Sequence, residues 1–297
     1  MFKFITTYRQ KYRMKSEKLF QYFLKLGGVI ILMVAIGIMA TLIVGSIPTF
    51  KEFGLGFIFS SDWNPTEGRE SYGALPFIIG TIATSILALA LTFPFAFSIA
   101  LFLGEYFKEG RMSSILKSMI DLLAGIPSVV YGLWGFYTIR PIVVELGLNA
   151  QGFGIFTSAF VLAIMIIPYA SSISAEVINM VPSQLKEAAY SLGATRFEVV
   201  KHVIIPNAGS GIFAGFILAF GRAIGETMAV TMLIGNSNNI PTNLFDVGNT
   251  MASLIANQFG EAEGLKYTSL IAMGLLLFVI TGILNLIGKM VMRKFTA

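Results

Sequence analysis

The sequence predicts an all-α integral membrane protein of six transmembrane helices. Three observations carry that expectation. The chain has 297 residues, of which 55% are hydrophobic and only 12% charged, whereas soluble domains run near 25% charged. Six apolar stretches, near 26–46, 75–103, 115–138, 153–178, 209–235 and 267–289, are each long enough to cross about 30 Å of hydrocarbon as a helix of about 20 residues. The basic residues fall on one side of those spans. With both termini placed in the cytoplasm, the inside holds Lys3, Arg9, Lys11, Arg13, Lys15, Lys18, Lys25, Lys108, Arg111, Lys117, Lys186, Arg196, Lys201, Lys289, Arg293 and Lys294. The outside holds Lys51, Arg69, Arg140 and Lys266, and Arg222 lies within a span. Sixteen against four is a clear positive-inside bias.

Taken in order, residues 1–25 are a basic cytoplasmic segment. The apolar run at 26–46 is too long for a signal peptide and lacks a clean cleavage site, so it is expected to remain as an anchor. Residues 47–74 form an extracytoplasmic loop, in which Phe50, Phe53, Phe57, Phe59 and Trp63 suit an aromatic belt at the headgroups. A core of five spans then runs over 75–289. Thr81, Thr84 and Ser85 bring hydroxyls to its first span, either to bond their own helix backbone or to line a pathway. Pro127 breaks the next span and frees backbone groups beside Ser128, and Asp121 adds an ionisable group there. Pro94 and Pro168 mark kinks.

Residues 182–206 are too polar to cross a bilayer and too apolar for a plain loop. They read as two short helices joined by a glycine elbow. Ser183 is placed to cap the first, and Leu185, Ala188, Ala189 and Leu192 form one apolar stripe. Gly193 suits the left-handed position that ends a helix. Thr195 and Glu198 have capping-box spacing, and Pro206 closes the unit. The small alanines leave room for another protein's surface, so the elbow reads as a docking element for a cytoplasmic partner.

The fifth span carries Gly211, Gly215, Gly221 and Gly225 in two small-xxx-small patterns that permit close helix approach. It also carries Arg222 and Glu226. Four residues apart on a helix, these share a face and can pair. An ionised group within a membrane span costs roughly 2.5–3.5 kcal/mol on insertion scales. The pair is therefore either an internal salt bridge that orients helices or an anion pathway. Arginine offers a planar donor fork that fits oxyanion oxygens. Beyond this span, Met251, Leu254, Ile255 and Phe259 share a helical face after an Asn249 cap, a short helix at the outer mouth. Residues 290–297 are a cytoplasmic tail.

The elbow resembles the EAA loop of the permease subunits of bacterial ABC importers, with Glu187, Ala188, Ala189, Gly193 and Pro206 at matching positions. Gly221-Arg222-Ala223-Ile224-Gly225-Glu226-Thr227-Met228-Ala229-Val230 resembles the PstC type of permease in phosphate-specific importers. Also similar are Trp63-Asn64-Pro65, Tyr72–Phe77 with Gly80-Thr81, and Ala124–Gly132. The resemblance spans roughly residues 60–290. It implies a type I ABC importer permease core in a bacterial cytoplasmic membrane, with a PstA-like permease, a homodimeric ATPase, an extracytoplasmic phosphate-binding protein and membrane lipid as partners. It implies inorganic phosphate as the substrate, Arg222, Glu226, Thr81, Thr84 and Ser128 along the substrate pathway, and the matched elbow residues as the ATPase coupling site.

Composition excludes several alternatives. The chain has no cysteine and a single histidine, His202, so disulfides, thiolate chemistry and a multi-histidine metal site are ruled out. The net charge of +5 is ordered by membrane side and points to no nucleic acid. No Walker A loop, His-Glu-x-x-His or Gly-x-Ser-x-Gly occurs, so energy is expected from a partner, with no cofactor and no catalytic residue in this chain. Two rival readings remain: a permease for sulfate or molybdate, and a signalling or scaffold protein that uses the elbow only for binding.

Overall fold

The computed structural model describes the backbone of residues 2–66 and 68–296 and the side chains of 20–66 and 68–292. The basic side chains from Lys3 to Lys18, and Arg293 and Lys294, lie outside the described residues. Among the described residues, five helices are long and apolar enough to cross a membrane, or six if one bent pair counts as a span.

The centre of the molecule is a tight group of three helices: α3 (Leu75–Leu101), α7 (Ile155–Asn179) and α10 (Ile205–Gly225). Small side chains make the approach possible, with Ala88, Ala96, Ala159 and Ala170 all fully buried where α3 meets α7. The Thr92 hydroxyl donates to its own Ala88 carbonyl at 2.7 Å and lies 3.2 Å from the Ala163 carbonyl across the interface. On the other flank of α7, a Cβ added at Gly211 would lie 2.4 Å from Val177 and one at Gly215 3.2 Å from Ile173. Those two glycines serve close packing.

α1 (Phe2–Phe53) is longer than the expected 26–46 span at both ends, because nothing in the basic segment breaks it before Gly54, which sits at φ +56. It packs on α13 (Gly264–Thr296), where Gly45 admits Ile271 and the Thr49 hydroxyl donates to Thr268 at 2.9 Å.

The third span is not straight. α4 (Arg111–Gly125) and the run from α5 (Ser128–Trp134) through α6 (Arg140–Glu145) meet at a 95° bend. Ile126 is extended and Pro127 has no N–H to continue the ladder. The carbonyls freed at the end of α4 find hydroxyl donors instead: Tyr131 donates to Leu123 at 2.9 Å and Tyr169 to Ala124 at 3.1 Å.

The aromatic residues of the 47–74 segment differ from the expected belt. After the short α2 (Gly56–Phe59), β1 (Trp63–Asn64) pairs antiparallel with β2 (Ser71–Tyr72). Trp63 packs edge-on against Tyr72 and Phe77, with ring centroids 4.9 and 5.2 Å apart. Its indole N–H donates to Gln258 at 3.2 Å. Phe57 is fully buried, and only Phe59 of the group is strongly exposed. These rings form a second core because the hairpin folds back over α3.

Candidate functional site: an elbow at one end and an intramembrane arginine

α8 (Ser183–Ser191) and α9 (Arg196–Val199) form the expected elbow. Gly193 adopts φ +84, and the Ala194 N–H donates to the Ala189 carbonyl at 3.1 Å, closing α8. Thr195 and Glu198 make the reciprocal capping box. Glu187 and Ala188 are exposed and Ala189 is half-buried. The outer face shows Leu185, Tyr190, Leu192 and Phe197, with Leu192 90% exposed.

Two expectations are corrected. Pro182, not Ser183, occupies the cap position of α8, and no side chain caps it. Pro206 does not close the unit. It stands in the first turn of α10, directly after a π-helical turn, Val200–Ile204, and the helical path continues to Gly225. A first-turn proline is tolerated because its missing N–H is not needed there.

The elbow is fastened by Lys186 and Arg196, which sequence reasoning counted only as charges, and by Glu105, which it did not single out. α3 ends in a π-helical turn, Phe102–Tyr106. Within it, Glu105 Oε2 lies 2.6 Å from Lys186 Nζ, and both side chains are only 8% exposed. Lys108 Nζ stands 3.5 Å from the same oxygen. Burial and the nearby Lys186 ammonium hold the Lys108 pKa below its ordinary value. Arg196 Nη2 donates to the Tyr106 carbonyl at 2.9 Å and the Glu105 carbonyl at 3.2 Å, and its guanidinium covers the Tyr106 ring at 4.1 Å. A clue existed in the sequence: Glu105 is the lone charged residue between Leu75 and Phe107.

In the other region, α10 carries Arg222 one turn from its end. The guanidinium lies over the Tyr169 ring, 4.2 Å from the centroid. Tyr169 is itself held by its bond to Ala124. A cavity of about 430 Å³ is lined by Tyr169, Leu218, Gly221, Arg222, Thr281 and Asn285. A Cβ at Gly221 would meet only Asn285, at 3.8 Å, and one at Gly225 would meet nothing within 4 Å.

The expected Arg222–Glu226 pair is absent. α10 stops at Gly225, and Glu226 is extended at ψ 126. Its Oε1 accepts from the Ala229 N–H at 3.2 Å, at the start of α11 (Met228–Leu233). Glu226 thus acts as a cap, and the fifth span breaks there instead of running on to 235. Among the described residues, ion pairs occur only around Glu105. Among the described residues Arg222 has no carboxylate ion-pair partner.

The hydroxyl candidates are not gathered around Arg222. Thr81 donates to Phe77 at 2.7 Å and accepts from the Met251 N–H at 3.0 Å, tying α3 to α12 (Met251–Gln258). That helix is capped by Thr250, one residue later than expected. Thr84 is buried with an unpartnered hydroxyl, and Ser85 is buried near it. Ser128 opens α5 beside the bend, half-buried. Asp121 faces a separate cavity of about 280 Å³ with Lys117, Glu176 and Asn179. Sequence reasoning missed Tyr169 and Asn285. An asparagine inside the last span was the visible signal.

Comparison with known proteins fits this geometry. Residues 93–297 match the family described as binding-protein-dependent transport system inner membrane component. A phosphate transport system permease protein PstC from Pasteurella multocida is 39% identical over 297 aligned positions, covering 94% of this chain and 92% of that protein. Among solved structures, the MetNI methionine ABC transporter in an inward-facing conformation aligns with a TM-score of 0.59 at 16% identity, covering 73% of this chain and 94% of that one. A bacterial ABC transporter involved in import of the acidic polysaccharide alginate aligns at 0.58 and 18% identity, covering 91% and 96%. These two likenesses show the fold, that of type I ABC importer permeases, and the family match with the long apolar helices marks a multi-pass membrane protein. The chain belongs to the binding-protein-dependent transport system inner membrane components and, within them, to the PstC permeases.

Proposed function

We propose that the chain is the phosphate-translocating permease of an ATP-driven importer in the bacterial cytoplasmic membrane. It pairs with a PstA-like permease, rests on a homodimeric ATPase, and receives inorganic phosphate from an extracytoplasmic binding protein. The observation that carries this reading is Arg222, a permanently charged group in a membrane span, set against the face of Tyr169 and open to a cavity. Such a residue is costly unless used. Its donor fork matches phosphate oxygens, and the Tyr169 ring lies against the guanidinium beside the cavity. Among the described residues no carboxylate is ion-paired with Arg222, so a passing oxyanion displaces no salt bridge there. The identity to a protein named as a phosphate permease supports the choice of substrate.

The elbow is the ATPase docking element. Closure of the ATPase pair on ATP shifts the permease population from inward- to outward-facing, and the same residues are then reached from the binding protein. The test is uptake of labelled phosphate by the reconstituted complex, with sulfate and molybdate as competitors. Phosphate import that excess sulfate and molybdate leave intact is expected. Import of sulfate or molybdate in preference to phosphate overturns the substrate, and ATPase recovery without import of any oxyanion overturns the permease role.

A further inference from the structure

The elbow's two helices meet at Gly193, where nothing packs within 4 Å of the Cβ position. At this joint the Gly193 and Ala194 N–H groups bond back to the Tyr190 and Ala189 carbonyls. The structure supplies a second attachment. Lys186 comes from α8 and Arg196 from α9, one on each side of Gly193, and both converge on the π-helical turn Phe102–Tyr106. Lys186 holds the Glu105 carboxylate, while Arg196 takes two carbonyl oxygens at the end of that turn. The turn is itself seated on α7: a Cβ at Gly104 would fall 2.8 Å from the Ala175 carbonyl oxygen.

A buried ion pair is a poor device for stability alone, because desolvating both charges offsets much of their attraction. Charges and carbonyls fix one relative geometry, which apolar packing permits to slide. The clasp thus joins α8, α9 and the end of α3 into one unit and adds a second connection beside the Gly193 joint.

We propose that Glu105, gripped by Lys186 and Arg196, is the positioning residue through which the elbow's displacement reaches α3 and α7. The proposal rests on the reading of the elbow as the ATPase docking element. Its test is the number of phosphate ions imported per ATP hydrolysed by the full complex in vesicles, with ATPase recovery measured on the same preparations. In Glu105→Gln and Lys186→Met the ATPase is expected to co-purify and hydrolysis to persist, while import per ATP falls about tenfold, the size of a typical coupling between sites. Lys186→Arg keeps the charge and is expected to recover most of the ratio lost in Lys186→Met. Arg196 is exposed, so Arg196→Gln should assemble even if the buried variants do not, and it is expected to lower the ratio severalfold. Assembled Arg196→Gln and Lys186→Met complexes with a wild-type ratio overturn the clasp; where Lys186→Met does not assemble, Arg196→Gln decides. A wild-type complex that recovers no ATPase, or imports no phosphate, overturns the underlying reading instead.

Discussion

Arg222 and Glu226 show how one backbone break reassigns two residues. Their spacing was legible as a helical pair, yet the pair depends on a helix that stops at Gly225. The apolar pattern resumes from Met228 to Leu233 after the polar Gly225-Glu226-Thr227, so residues 209–235 read as one span although the interruption lay in plain view. With Glu226 capping α11 and Arg222 stacked on Tyr169, the two should respond differently to substitution. Arg222→Ala is expected to lower phosphate uptake by roughly ten- to a hundredfold, the rate equivalent of a lost charge-assisted hydrogen bond, at near-normal complex yield. Arg222→Lys should also be impaired, since an ammonium lacks the planar fork and stacks less well. Glu226→Gln keeps a carbonyl oxygen for the Ala229 N–H and should assemble normally, whereas Glu226→Ala should cost about 1 kcal/mol of local stability as a lost cap. Uptake and complex yield in these four variants check both roles. Wild-type uptake in assembled Arg222→Ala would remove the pathway argument.

At the scale of elements, the existence of the long helices followed from hydropathy, and the elbow's shape followed from glycine and capping chemistry. What was not legible were contacts between distant segments, such as Glu105 with Lys186, and the 95° bend at Pro127, whose angle depends on Tyr131 and Tyr169 taking the freed carbonyls. The elbow predicts an order of substitutions at Gly193. The site is open, so the penalty is conformational: Gly193→Ala should cost about 1–2 kcal/mol in the left-handed region, and Gly193→Asn less. Loss of ATPase co-purification should follow that order, and equal behaviour of both variants would show that left-handed strain at this joint does not control docking. In the 235–250 loop, Asp246 accepts from the Thr242 hydroxyl and from the Thr242 and Asn243 N–H groups, at 2.7, 2.9 and 2.8 Å. The Thr242 hydroxyl first, then the two N–H groups, hold its carboxyl below the usual carboxylate range. A depressed acid contributes order that is complete above its unfolded pKa and is lost as pH falls through its folded value. Amide exchange at Thr242 and Asn243 should therefore be protected at neutral pH and lose that protection only on acidification beyond the ordinary carboxylate range; in Asp246→Ala the protection should be lower at every pH.

For the whole molecule, fold and charge answer different halves of one question. The structure fixes which residues share an end. The hairpin carrying Asn64 packs at the start of α3, and the Glu105 clasp holds the elbow at its finish. Asn243 lies in the loop whose Leu244 carbonyl accepts from the Phe156 N–H at the start of α7, while α7 runs out toward the elbow at Asn179. Asn64 and Asn243 are thus at one end and Ser191 at the other. Which end faces the cytoplasm comes from the lysine and arginine distribution alone. The chain has no cysteine, so single cysteines can be introduced at these three positions in an otherwise silent background. With an impermeant thiol reagent on intact cells, Asn64→Cys and Asn243→Cys should label from outside, and Ser191→Cys only after permeabilisation. The fully reversed pattern would leave the fold intact and overturn the orientation, removing the elbow from the compartment where ATP is found. A mixed pattern, with Asn64→Cys and Asn243→Cys on opposite sides, would contradict the helix arrangement itself.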